Sequence, residues 1–218
     1  MTERSRPPLE QQLVDLLEQV EPHVERRATP AQHDTTSHEL DLAHLYDVQL
    51  ASRHCDLAAR WLRSKGKGYY TIGSAGHESN AIVAMATRPT DPALLHYRSG
   101  AFYLGRAGLP GVSDILAGVV AATSEPISGG RHKVFGRHDL AIIPQTSTIA
   151  SHLPRAVGVA FAIDRAAKLR VESPWPSDAI TVCSFGDAST NHSVAAGGDQ
   201  LLVVDDLVGV DAFVHELQ

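Results

Sequence analysis

A short apolar, β-branched run, Ala179-Ile180-Thr181-Val182, leads through Cys183-Ser184-Phe185 straight into Gly186-Asp187. Such a run reads as a buried strand that stops at a tight turn, and it constrains the chain more than any other stretch. In open α/β sheets ligands sit at the carboxyl ends of the strands. A turn there can hold an acidic side chain and bare N–H groups towards a phosphate or a metal. Asp187 is therefore the first candidate for chemistry. The plainer alternative is a turn that uses Gly and Asp for conformational reasons alone.

The rest of the chain is compatible with such a sheet. Its 218 residues, 43% hydrophobic and 20% charged, are enough for one sizeable soluble globular domain. A net charge of −6 with no long Lys/Arg run argues against a nucleic-acid partner, while leaving room for a local basic pocket. Only Cys55 and Cys183 are present, the second inside the expected buried strand, which argues against a disulfide framework. The first residues lack the apolar core of a signal peptide, and no apolar run approaches the about 20 residues of a membrane span. A reducing, cytoplasmic setting without membrane contact is expected.

Leu9, Leu13, Leu16, Leu17 and Val20 recur at helical spacing up to Pro22, and residues 26–35 read as a polar linker. The expected division is an arm and linker over 1–38, a domain over 39–196 and a divergent tail over 197–218. Thr36-Ser37-His38-Glu39 has the form of a capping box ahead of a long helix that ends near Lys65. Leu45, Val48, Cys55, Ala58, Ala59 and Leu62 fall near one face of that helix. His38, His44 and His54 beside it lack the His-Glu-x-x-His pattern of a zinc site and read as solvated or hydrogen-bonded.

An extended segment from Tyr69 then meets the turn Gly73-Ser74-Ala75-Gly76, with His77-Glu78 placed to point into a cleft and a helix over Asn80 to Ala86. The turn is either an anion site of free N–H groups or a tight connection. The apolar Leu94-Leu95 ends at His96-Tyr97-Arg98, where a guanidinium fork suits phosphate oxygens or is simply solvated. Residues 123–138 lack apolar periodicity and read as a long surface loop, functional or disordered. A hydroxyl cluster from Thr146 to Ser151 precedes a helix over 153–162 that it can cap, with Pro154 at its start or at a kink. Arg165 to Asp178 reads as a surface connection.

Taken in order over residues 40–193, these segments resemble the alpha-type region of the first component of thiamine diphosphate-dependent 2-oxo acid dehydrogenases. The resemblance implies an α/β thiamine diphosphate-binding fold, three-layered with a mostly parallel central sheet, incomplete at the C-terminus. It implies thiamine diphosphate and Mg²⁺ as cofactors. Asp187 and Asn191 match the magnesium signature, with Ala188 in place of its second Gly, and Gly186, Ala188 and Ser189 lie in the cofactor-binding turn. Tyr97 and Arg98 match the pair that touches the diphosphate. Ser147 and Ile149 match positions that hold the cofactor, Ile149 as the apolar wedge beneath its bent middle. Thr146, Thr148 and Ser151 match the positions of a structural monovalent cation. Arg131, His132 and His138 would lie near substrate, with His132 and His138 as catalytic candidates. The implied partners are a beta-type subunit or domain, a lipoyl-bearing acyltransferase component and a 2-oxo acid substrate, in a hetero- or homo-oligomer.

After Asn191-His192-Ser193 the pattern changes: Gly197-Gly198 interrupts the expected helix. The chain holds only two asparagines, Asn80 and Asn191, so the family's Asn-Asn pair is missing. Asp211 or Glu216 is a possible replacement ligand. The expectation is an amino-terminal fragment, or a frame-disrupted version, of a larger enzyme. It would be inactive alone, because the glutamate that activates the aminopyrimidine belongs to the beta-type partner. The rivals are a non-catalytic protein that binds such a partner, and a transketolase-like enzyme, against which the Tyr-Arg and Gly-Arg-His segments argue.

Overall fold

The structure, a computed structural model, describes residues 11, 12, 15, 19, 41–69, 73–132, 134–186, 188, 189 and 192–194. The capping box at Thr36–Glu39, Asp187, Asn191, Asp211 and Glu216 lie outside them, as do Gly197-Gly198. The chain divides into two compact units, Met1–Glu39 and Leu40–Gln218. In the first, Gln11 donates from its side-chain amide to Asp15 at 2.8 Å, one helical turn on.

The second unit opens with helix α1, Leu42–Ser64. Its cap is Asp41, whose carboxylate accepts the N–H groups of Ala43 and His44 and so satisfies two of the helix's orphan donors. Leu45, Val48, Ser52, Cys55 and Ala59 form its buried face, as the spacing predicts. Ala58 and Leu62 are only half-buried, and His44 and His54 are exposed to water. Helix α2, Asn80–Ala86, follows the Gly73–Gly76 turn.

Strand β1 (Ala93–Leu94) comes next, then helices α3 (Gly100–Ala107) and α4 (Gly111–Val119). A 3-10 turn over His138–Leu140 leads into strand β2, Ile142–Ile143. Helix α5, Leu153–Leu169, leads to strand β3, Val182–Cys183. Pro154 sits in the first turn of α5, where its missing N–H costs nothing. The helix runs well past Ala162 because Ile163 is buried and continues its apolar face. The expected surface connection is therefore helical up to Leu169 and irregular only after it.

The three described strands form one parallel sheet in the order β2-β1-β3, with Ala93 in register with Ile142 and Val182, and Leu94 with Ile143 and Cys183. Side chains alternate across a strand, so one register row faces each side of the sheet. Ala93, Ile142 and Val182 join Leu95, Phe102 and Leu104 in a core built with α1 to α4, while Leu94 and Cys183 pack with Ala156 of α5. Helices thus cover both faces, the usual arrangement for parallel strands. The Cys183 thiol, buried in this second core, is pushed up to about 12 by desolvation.

The loop over 123–138 is only partly a surface feature. Phe135 is buried and packs against the Tyr103 ring with centroids 5.6 Å apart. Among the described residues no helix is long and apolar enough to cross a membrane.

Candidate active site at the strand ends

All three strands end on the same side, and the segments that leave them are fastened together by buried polar groups. Ser184, first after β3, is the junction. Its N–H donates to the carbonyl of Leu94 at 3.0 Å, extending the ladder by one bond. Its hydroxyl accepts the N–H of His96 at 2.9 Å and shares a hydrogen bond of 2.9 Å with the fully buried hydroxyl of Ser99. Its carbonyl lies 2.8 Å from Nε2 of His152, the residue that precedes α5. A carbonyl cannot donate, so Nε2 carries a proton. That leaves Nδ1 of His152 buried without a partner among the described residues. Burial lowers the pKa of this imidazole, and the bond to Ser184 opposes the shift without reversing it. Gln145, after β2, donates its side-chain amide to the carbonyl of Leu95, and its own Oε1 is likewise buried without a partner.

His96 stands at the centre of this cluster. Its Nδ1 accepts the N–H of Arg98 at 3.3 Å, so the ring proton sits on Nε2. A side chain at Gly186 would meet that Nε2 edge at 3.5 Å, which places the donor edge of His96 against the Gly186 turn. The ring is stacked on His77 with centroids 5.4 Å apart and is tilted against Tyr97 at 3.9 Å. Burial, followed by the charges of His77, Arg98 and His152, pushes its pKa down to about 4. His96 is neutral at pH 7.

Arg98 is half-buried, donates to the carbonyl of Gly73 at 2.9 Å and lies 5.2 Å over the Tyr97 ring. It forms no ion pair among the described residues. The Gly73–Gly76 turn is differently occupied. The N–H and hydroxyl of Ser74 both donate to Asp56, at 2.7 and 3.0 Å, and the N–H of Gly76 donates to Glu78 at 2.7 Å. Two N–H groups expected to face an anion are thus satisfied by the chain's own carboxylates, and Glu78 closes its own turn. His77, by contrast, does reach the cluster.

Ser147 is half-buried, and Ile149 is 48% exposed, a large apolar side chain left facing outwards beside the strand ends. The hydroxyls around them do not cap α5: Thr146 pairs with Ser151 at 3.3 Å, and Ser151 donates to the carbonyl of Thr148 at 2.9 Å. After β3, Ser189 is buried and its N–H donates to the carbonyl of Gly186 at 2.9 Å, while Ala188 is exposed. Among the described residues no group of three or more His, Cys, Asp or Glu side chains is arranged to hold a metal.

The two catalytic candidates are both exposed. His132 is exposed, with its N–H donating to the Ser128 hydroxyl at 3.0 Å. His138 is exposed in the 3-10 turn that enters β2, at the amino end of that strand, whereas Tyr97, Arg98 and Gly186 follow carboxyl ends. The residues that sequence reasoning missed, Ser99, Gln145, His152 and Ser184, carry no local signal. Each is an ordinary polar residue until a partner far along the chain meets it.

The family model described as dehydrogenase E1 component matches residues 46–201. No curated protein matches the chain.

Proposed function

The chain belongs to the dehydrogenase E1 component family, whose model covers most of its length, and from that membership we propose that its strand ends seat thiamine diphosphate for decarboxylation of a 2-oxo acid. The family depends on thiamine diphosphate. The observation that carries the reading is Arg98: a half-buried guanidinium beside the carboxyl ends of parallel strands, with no ion-pair partner among the described residues. The exposed Ile149 and the Nε2–H edge of His96 facing Gly186 fit the same ligand, an apolar body carrying an anionic end.

Arg98 and Tyr97 would hold the diphosphate, with Gly186, Ala188 and Ser189 in the turn beside it. Ser147 and Ile149 would hold the organic part. Asp187 and Asn191 are the proposed magnesium ligands, and the exposed His132 would meet the substrate carboxylate. When bound, thiamine diphosphate supplies a nucleophilic carbon and an electron sink that lets CO₂ leave. The chain's part is to orient the group, balance its charge and keep His96 and His152 neutral beneath it. A beta-type partner would supply the activating carboxylate, and a lipoyl-bearing acyltransferase component would take up the acyl group.

The test is CO₂ release from 2-oxo acids by the chain mixed with a beta-type partner. Release that needs thiamine diphosphate, magnesium and both proteins is expected. Release that persists without thiamine diphosphate would contradict the reading.

A further inference from the structure

One buried carboxylate outside the strand ends organises a whole loop. Glu125, 6% exposed, accepts the N–H of Ile127 at 3.0 Å through one oxygen. Through the other it accepts the N–H of Ser128 at 2.6 Å, the Ser128 hydroxyl at 2.7 Å and the N–H of Gly130 at 3.4 Å. The backbone turns tightly enough to bring these donors round because Gly129 and Gly130 have φ of 58° and 77°. A Cβ on Gly130 would collide with the carbonyl of Ala121, so this path admits only glycine. Burial raises the pKa of Glu125, but the bonds from Ser128, Ile127 and Gly130 outweigh it and hold the carboxyl below its ordinary range.

The chain of bonds continues past the carboxylate. The Ser128 oxygen accepts the N–H of His132 at 3.0 Å. The same oxygen lies 2.8 Å from the carbonyl of His132, but its single proton goes to the carboxylate, the stronger acceptor. A hydroxyl that donates to a carboxylate becomes a better acceptor itself, so the bond to His132 is strengthened through the relay. Arg131 and His132 are both exposed on the far side of it.

We infer that Glu125 is a positioning residue, which fixes the backbone of His132 through the hydroxyl of Ser128 and thereby sets where His132 meets the substrate. The inference rests on the substrate role given to His132 above; the restraint itself does not.

Amide hydrogen exchange and tryptic cleavage of the full chain test the restraint. Ser128→Ala and Glu125→Gln are expected to speed exchange at His132 and cleavage after Arg131 by about tenfold or more, the scale of one charge-assisted hydrogen bond. Ser128→Thr, which keeps the hydroxyl, is expected to restore both rates, and exchange at Ala59 in α1 is expected to stay as it was. With the beta-type partner present, Ser128→Ala should raise KM for the 2-oxo acid about tenfold at unchanged kcat, and Ser128→Thr should return it, again the scale of one such bond. Exchange at His132 that ignores Glu125→Gln would overturn the restraint. Faster exchange with an unchanged KM, or an equal rise at Ala59, would overturn the positioning role. Failure of the unsubstituted chain to bind thiamine diphosphate would strike the functional reading instead, since exchange and cleavage are read without the cofactor.

Discussion

The strand ends and the Glu125 loop are both organised by buried polar groups, yet they close over very different lengths of chain. At the strand ends, His96 and Ser184 are 88 residues apart, Ser99 and Ser184 are 85, Gln145 and Leu95 are 50, and His152 and Ser184 are 32. In the loop every bond to Glu125 spans 2 to 5 residues. Closing a long stretch costs chain entropy before any contact rewards it, so the strand-end cluster exists only once the sheet and both cores have formed. The loop needs no such scaffold, and its glycines already dictate its path. Damage at Ser184 should therefore be felt by the whole fold, and damage at Glu125 or Ser128 by a few residues.

The largest effect is expected at the junction. Ser184→Ala leaves the buried N–H of His96 without its acceptor and breaks the bond to Ser99, a cost of about 2 to 4 kcal/mol in urea unfolding. A cost confined to a few tenths would make the strand ends as local as the loop. His152→Leu removes the donor to the Ser184 carbonyl and should cost about 1 to 3 kcal/mol, with His152→Gln recovering part of it. Equal losses in Leu and Gln would show that the bond contributes little beyond packing.

Acid sharpens the contrast further. His96 has a folded pKa of about 4 against the ordinary 6.5, so below about 6.5 the unfolded chain binds a proton that the folded chain refuses until about pH 4. Stability should be flat above that window and fall as pH drops through it, with His152 shifted in the same direction. Unfolding midpoints measured across the window, with and without His96→Gln, check this: the variant should show a shallower slope, and stability rising towards low pH would contradict the burial of a neutral His96. The smallest effect is expected from Ser128→Ala, about 1 kcal/mol or less in global unfolding despite the faster local exchange. A loss as large as that of Ser184→Ala would erase the distinction between the two regions.

The same contrast explains what the sequence reveals. The strand ahead of Gly186, the core face of α1, the short helix α2 and the Pro154 entry to α5 are local patterns, and the structure contains each of them. Strand β2 is two residues long and too short to signal itself, and α3 and α4 begin without a side-chain cap. The hydroxyls from Thr146 to Ser151 look like caps, but Ala150 takes a φ of 61° and turns the chain before α5 begins. Arg98 is legible because the Tyr97-Arg98 pair after the apolar Leu94-Leu95 resembles the family's diphosphate-touching pair, whereas a guanidinium alone reads equally as solvated. Ser99, Gln145, His152 and Ser184 are not, since their meaning lies entirely in partners distant along the chain.

The seat proposed for the diphosphate is tested most directly by calorimetric titration of thiamine diphosphate, with magnesium, into the unsubstituted chain and Arg98→Ala. Saturable binding that weakens about tenfold or more in Arg98→Ala, the scale of a lost charge-assisted bond to phosphate, is the predicted result. Equal affinity in the two proteins, or no binding in either, would contradict it.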